Sequence, residues 1–147
     1  MHIVFMDKCN AQTTLKDNEI RITKQRLQMM QAILDYPHPF SVSQLHANNL
    51  QIADLATFYR FVRLLVAKDI IKSVASEDDT QYYELLCPHN PNHPHFLCKS
   101  CHKLICLEAI RTPDVFRLAD YAQKMHVEDL TLLYRGKCRA CEKHSGV

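Results

Sequence analysis

Two pairs of cysteines dominate the chemistry that this chain can do. Cys98 and Cys101 form one Cys-x-x-Cys pair, and Cys138 and Cys141 form another. Four thiolates from two such pairs make the closed tetrahedral donor set of a structural Zn2+, with Zn–S bonds of about 2.3 Å. The 36 residues between the pairs (102–137) exceed the spacer of a simple zinc ribbon and leave room for a small folded unit. A redox pair of thioredoxin type is the alternative. Such a pair should sit at a helix start beside a parallel strand, whereas the first pair falls between two short strand-like runs, Phe96–Leu97 and Leu104–Leu107.

A second cluster precedes the first pair. Glu84, Cys87, His89, His93 and His95 lie within 12 residues. On an extended segment His93 and His95 project to the same face. A thiolate or carboxylate nearby makes a mixed N/S/O site suited to zinc or another divalent metal. Exposed loop histidines with no ligand role are the alternative. Cys106 stands alone, five residues after Cys101. It reads either as a buried core cysteine or as a further ligand of the second site.

The elements that must position these groups can be read along the chain. The 147 residues suit one ordinary domain or two small ones. With 47% apolar and 23% charged residues the chain can fold. Two glycines, Gly136 and Gly146, exclude a Gly-rich phosphate loop. No apolar run of about 18 residues predicts a membrane span. The first residues lack the pattern of a signal peptide, so a cytoplasmic location is expected, where thiols stay reduced. Seven Cys and nine His then favour metal over disulfides. Residues 1–75 carry +3 (nine basic, six acidic) and residues 76–147 carry −1 (nine basic, ten acidic).

Residues 1–20 read as an N-terminal arm or short helix. Thr23 caps a helix with Leu27, Met30, Ile33 and Leu34 at helical spacing, ended by Pro37. Ser41 and Gln44 form a capping-box pattern for a second helix. A third runs from about Asp54 to Lys68, burying Phe58, Phe61, Val62, Leu65 and Val66. Ile70–Ala75 and Gln81–Leu86 predict a hairpin. Three helices and a hairpin are the order of a winged helix-turn-helix. The back half predicts a small α+β unit. Its helix starts at Thr112-Pro113, with Val115, Leu118, Ala119, Ala122 and Met125 on one face, and its last strand spans Val127–Tyr134.

The winged-helix order gives meaning to Thr57, Tyr59, Arg60 and Arg63, on the outer side of the third helix. Arg reads guanine or clamps phosphate, and Tyr contacts phosphate or a thymine methyl. Without that order, an ordinary solvated face would explain them equally well.

Several motifs now stand in sequence: Arg21-x-Thr23-x-Gln25-Arg26, Ala56-Thr57-Phe58-Tyr59-Arg60, Tyr83-Glu84-Leu85, His93-x-His95-x-x-Cys98-x-x-Cys101 and Gly136-x-Cys138-x-x-Cys141. Over about residues 15–141 they resemble the ferric uptake regulator family of bacterial metal-sensing repressors. The resemblance implies an α+β fold, with an N-terminal winged helix (1–86), a hinge and metal-sensing loop (87–95), and a small α/β dimerisation domain (96–147). It implies structural Zn2+ on Cys98, Cys101, Cys138 and Cys141. It places Glu84, His93 and His95 at the usual positions of a hinge metal site. This chain departs from the family where His102 replaces a usual Gly, Cys106 a usual Glu, and Pro39 a common His. Asn92 and Pro94 also break the histidine run of iron-type members.

Cys87 resembles the zinc uptake regulator branch, in which a Cys here ligates the sensing zinc. The expected regulatory set is therefore Cys87, His93, His95 and Cys106 or Glu84. Zn2+ is the expected regulatory metal, with Fe2+ or Mn2+ as alternatives. The protein is expected to be no enzyme but a zinc-dependent repressor of metal-uptake genes, binding a palindromic double-stranded DNA operator as a homodimer. Tyr59 and Arg60 would read bases or phosphates, with Thr57 on the same face. Arg21, Lys24, Arg26 and Arg63 would anchor the backbone. Rival readings are an iron-, manganese- or peroxide-sensing member, a zinc-binding module that does not bind DNA, and a thiol enzyme.

Overall fold

The computed structural model describes residues 9–36, 39–86 and 93–144. Cys87, His89 and His38 lie outside the described residues. The chain divides into two compact units, Met1–Asn90 and Pro91–Val147.

The first unit is built on capped helices. Helix α1 (Ala11–Asp17) starts where Asn10 accepts a hydrogen bond from the Thr13 N–H, and it buries Leu15 completely. Helix α2 (Lys24–Asp35) is capped by Thr23, which accepts from the Arg26 N–H at 3.2 Å. Its inner face is Met29, Met30, Ile33 and Leu34, while Leu27 is only partly buried. Tyr36, which precedes Pro37, has left the helix for an extended conformation (φ −79, ψ 115), as the following pyrrolidine ring demands. Helix α3 (Val42–Ala47) begins with a complete capping box between Ser41 and Gln44. Helix α4 (Leu55–Ala67) is capped by Asp54, which accepts from the Thr57 N–H at 2.7 Å. Phe58, Phe61, Val62 and Leu65 are its buried stripe. Val66, expected in that stripe, is exposed, because the buried arc is already filled one residue earlier.

Strands β1 (Ile71–Glu77) and β2 (Thr80–Leu85) form an antiparallel hairpin with an irregular register between Ser73 and Ala75. Asp78 and Asp79 turn it with φ of 47° and 64°, the left-handed pair that matches strand twist in a two-residue loop. Phe40 exchanges backbone hydrogen bonds with Tyr83 at 2.9 and 2.8 Å, so the segment before α3 also pairs with the hairpin. Their rings lie 5.9 Å apart. Ile70, Ile71, Leu45 and the inner faces of α1, α2 and α4 close one core. Burying each large apolar side chain there contributes about 1.5–3 kcal/mol.

The second unit holds a three-stranded sheet in the order β4-β3-β5. Strand β3 (His95–Cys98) pairs antiparallel with β4 (Leu104–Cys106) and parallel with β5 (Leu133–Gly136). Helix α5 (Thr112–Asp120) starts with Pro113 in its first turn and carries no buried residue. It ends before Ala122 and Met125, which were expected on its face; Met125 is 73% exposed. From Tyr121 the backbone bonds tighten to a three-residue spacing, and Gln123 and Lys124 then turn the chain in left-handed conformations. The last strand starts at Leu133, not Val127, because only there does the chain find β3 as a partner. A short helix α6 (Arg139–His144) follows and was not foreseen. No helix among the described residues is long and apolar enough to cross a membrane.

Candidate metal centres and nucleic-acid interface

Parallel pairing of β3 with β5 sets Cys98 against Gly136. Cys138 therefore follows two residues beyond Cys98's ladder partner. Gly136 is needed for closeness: a Cβ there would stand 3.3 Å from Cζ of Phe96. The turn after β3 carries Cys101, and α6 carries Cys141. The turn closes with His102 in the left-handed region (φ 61), at the position where a glycine was noted as usual.

The four sulfurs lie within 4.8 Å of one another, and Sγ of Cys101 and Cys138 are 3.9 Å apart. A tetrahedron with 2.3 Å bonds has edges of about 3.8 Å. Backbone N–H groups of Cys101 (3.5 Å) and Cys138 (3.4 Å) donate to the Cys98 sulfur. These two donors hold the Cys98 thiol down to about 5. Cys141 is pushed up to about 12, first through its hydrogen bonds with Cys138 and Cys101. One sulfur is thus prepared as thiolate while another is kept as thiol by its neighbours. A dication would resolve that conflict, because it favours ionisation of every sulfur it binds. The donor set fits structural zinc, and no helix of thioredoxin type starts at either sulfur of the first pair.

The antiparallel register brings Cys106 opposite His95. His93, just before β3, places its ring 4.6 Å from that of His95. One donor atom from each of His93, His95 and Cys106 lies within 4.8 Å of the others. Both histidines are buried and Cys106 is half-buried. Burial by itself raises the Cys106 thiol, but hydrogen bonds and charge from His93 and His95 outweigh it and hold the thiol below its ordinary value. Cys106 stands beside the two histidines and is only half-buried, not a fully enclosed core cysteine. Glu84 lies on β2, buried, directly across the ladder from Lys72.

On the first unit, Arg21, Thr23, Gln25, Arg26, Thr57 and Arg60 line a cleft of about 390 Å3 floored by Met29, Phe61 and Leu64. Arg60 donates to the Thr57 hydroxyl at 3.1 Å, and Arg26 to the Arg21 carbonyl at 2.9 Å. Gln25 donates to the Ile52 carbonyl at 3.2 Å and ties the start of α2 to the segment before α4. The Asp54 cap is held below the usual carboxylate range, chiefly by its hydrogen bonds from Thr57, with help from Arg60 and His46. Tyr59 and Arg63 are not among the residues that line the cleft; burial, with Tyr59, raises the Tyr83 hydroxyl against the opposing charge of Arg63. Lys24 is exposed on the first turn of α2. Of the expected contact residues, Arg21, Arg26, Thr57 and Arg60 share the cleft, and Lys24, Tyr59 and Arg63 do not line it. The cleft itself was not legible beforehand, because it arises where two helix starts meet.

Residues 17–134 match the model of the ferric uptake regulator family. The chain belongs to the ferric uptake regulator family. It is 23% identical over 133 residues to the peroxide-responsive repressor PerR of Staphylococcus saprophyticus, 88% of each chain. The crystal structure of the Vibrio cholerae ferric uptake regulator shares the fold with a TM-score of 0.71 and 24% identity, over 86% of this chain and 98% of that one. A zinc uptake regulator complexed with zinc and DNA shares it with a TM-score of 0.58 and 20% identity, over 93% of each. As a member of this family the protein is a metal-responsive transcriptional regulator.

Proposed function

We propose that the protein is a zinc-dependent repressor that binds a palindromic operator as a homodimer. The observation that carries this reading is the grouping of the Cys106 thiol with His93 and His95. A thiolate among imidazoles is a soft donor set, better suited to zinc than to ferrous iron or manganese. Cys87 or Glu84 would supply the fourth ligand. Cys98, Cys101, Cys138 and Cys141 would hold a second, structural zinc. The dimer would form through the second unit, where Phe116, Tyr121, Met125 and Tyr134 are more than half exposed.

The metal can act only through differential affinity, by binding better to the DNA-competent form. Two copies of α4 would then enter major-groove segments about one helical turn apart. Tyr59 and Arg60 would contact bases or phosphates, and Arg21, Lys24, Arg26 and Arg63 the backbone.

The test is metal per chain after purification, after mild chelation, and after back-titration with Zn2+, Fe2+ and Mn2+. Two zincs are expected, one resistant and one exchangeable, with only the second lost in Cys106→Ser and in whichever of Cys87→Ser and Glu84→Gln removes the fourth ligand. An exchangeable site that prefers iron or manganese and ignores Cys106→Ser would place the protein on another branch of the family.

A further inference from the structure

The β1–β2 hairpin contains a single basic residue. From Ile71 to Leu85 there are four acidic side chains, Glu77, Asp78, Asp79 and Glu84, and one lysine, Lys72. The register sets that lysine directly opposite Glu84. Residues directly opposite in an antiparallel pair share a face, with Cβ atoms about 4.5–5.5 Å apart. Glu84 is 9% exposed and Lys72 half-buried. A carboxylate this buried stays ionised only beside a cation or strong donors. Strand alternation puts Tyr82 on the same face, and Tyr83 and Leu85 on the other, against the core. Of the residues flanking Glu84 on this face of the hairpin, Lys72 is the cation.

We propose that Lys72 is the counter-ion of Glu84 in the metal-free protein and so sets how much metal is needed to recruit that carboxylate. The proposal rests on the reading in which Glu84 ligates the regulatory metal. An ammonium and a dication cannot both be neutralised by one carboxylate. The metal must displace the lysine, and the lysine weakens the metal. Lys72 is a positioning residue in this scheme and touches no metal. It is a brake on occupancy, which keeps the regulatory site exchangeable while the four-cysteine site stays filled.

The experiment titrates the exchangeable site of the full chain with Zn2+ against a competing chelator, with the four-cysteine site loaded. Wild type, Lys72→Met, Lys72→Arg, Glu84→Gln and the Lys72→Met/Glu84→Gln double variant are compared. Lys72→Met is expected to bind the exchangeable zinc about ten-fold tighter, Lys72→Arg to resemble wild type, and the double variant to show no gain over Glu84→Gln. Lys72→Met should also lower the melting temperature of the form with the exchangeable site empty and leave the fully loaded form unchanged, a pattern that simple structural damage would not give. Unchanged or weaker zinc binding in Lys72→Met, beside a clear loss in Glu84→Gln, overturns the counter-ion role alone. An equal gain in the Glu84→Gln background overturns it too. No loss of zinc affinity in Glu84→Gln overturns Glu84 as a ligand, and the counter-ion role with it.

Discussion

At Cys98 two backbone N–H groups do part of the work of a cation. They leave its sulfur ionised down to about pH 5, while Cys141 in the same cluster keeps its proton up to about 12. Between those limits Cys98 has no proton to lose on binding metal, and Cys141 has one. At pH 7, zinc uptake by the metal-free cluster should therefore release fewer than four protons from its four thiols, measured with a pH dye in weak buffer. Release of four would contradict the thiolate at Cys98. As the pH falls towards 5, Cys98 regains its proton, so more protons must leave per ion. Affinity then falls more steeply, by about ten-fold per pH unit for each displaced proton. The spacing of the cysteines was legible in the sequence, because two Cys-x-x-Cys pairs admit few other uses. Their unequal protonation was not, because it depends on where the N–H groups of Cys101 and Cys138 point. Cys106 kept two readings for the same reason. Its neighbours are set by the β3–β4 register, which no local pattern encodes.

The elements that could be read were those with local causes. Thr23, Ser41 with Gln44, and Asp54 each cap a helix through bonds spanning three residues, and such bonds are visible in sequence. The elements misread depend on distant partners. Strand β5 starts six residues later than its sequence predicts, because 127–132 are strand-like in type, yet ladder pairing begins only where Leu133 meets His95. Helix α6 is six residues long, too short to persist alone, and it follows directly on Cys138. One consequence concerns Gly136. A branched side chain there must push Phe96 aside, at a cost of about 1–3 kcal/mol. Because β5 delivers Cys138, Gly136→Val should also speed zinc loss to a strong chelator at unchanged cysteine content. Metal retention equal to wild type would mean that the β3–β5 spacing does not control the cluster.

For the molecule as a whole, the proposed DNA contacts and the proposed metal ligands fall on different residues, so mutation should separate the two. Arg60 lies in the cleft between the starts of α2 and α4 and donates to the Thr57 hydroxyl one turn away. Arg60→Ala should leave the fold and both metal sites intact. It should weaken operator binding by about ten-fold or more, as expected from losing a base contact worth roughly 1–3 kcal/mol. Mobility-shift titrations at several salt concentrations, with metal content measured on the same samples, check this. A variant that binds the operator normally would remove α4 from the reading surface. If Lys24→Ala instead lowers affinity for all sequences alike and flattens the salt dependence, its contact is with phosphate.

Strand β3 is four residues long, with His95 at its first position and Cys98 at its last. Alternation turns these two side chains to opposite faces. One short ribbon therefore carries a sulfur of the four-cysteine cluster at its far end and would offer its near end to the proposed exchangeable site. On the proposed reading this geometry would set an order of maturation. Pairing with β4 and β5 holds the strand that carries His95, and the resident ion would add a clamp at its Cys98 end before the exchangeable ion arrives. The exchangeable ion would then come and go without disturbing its predecessor. A newly made chain would take up one ion permanently before it responded to a second, so each working sensor would withdraw one ion from the cell.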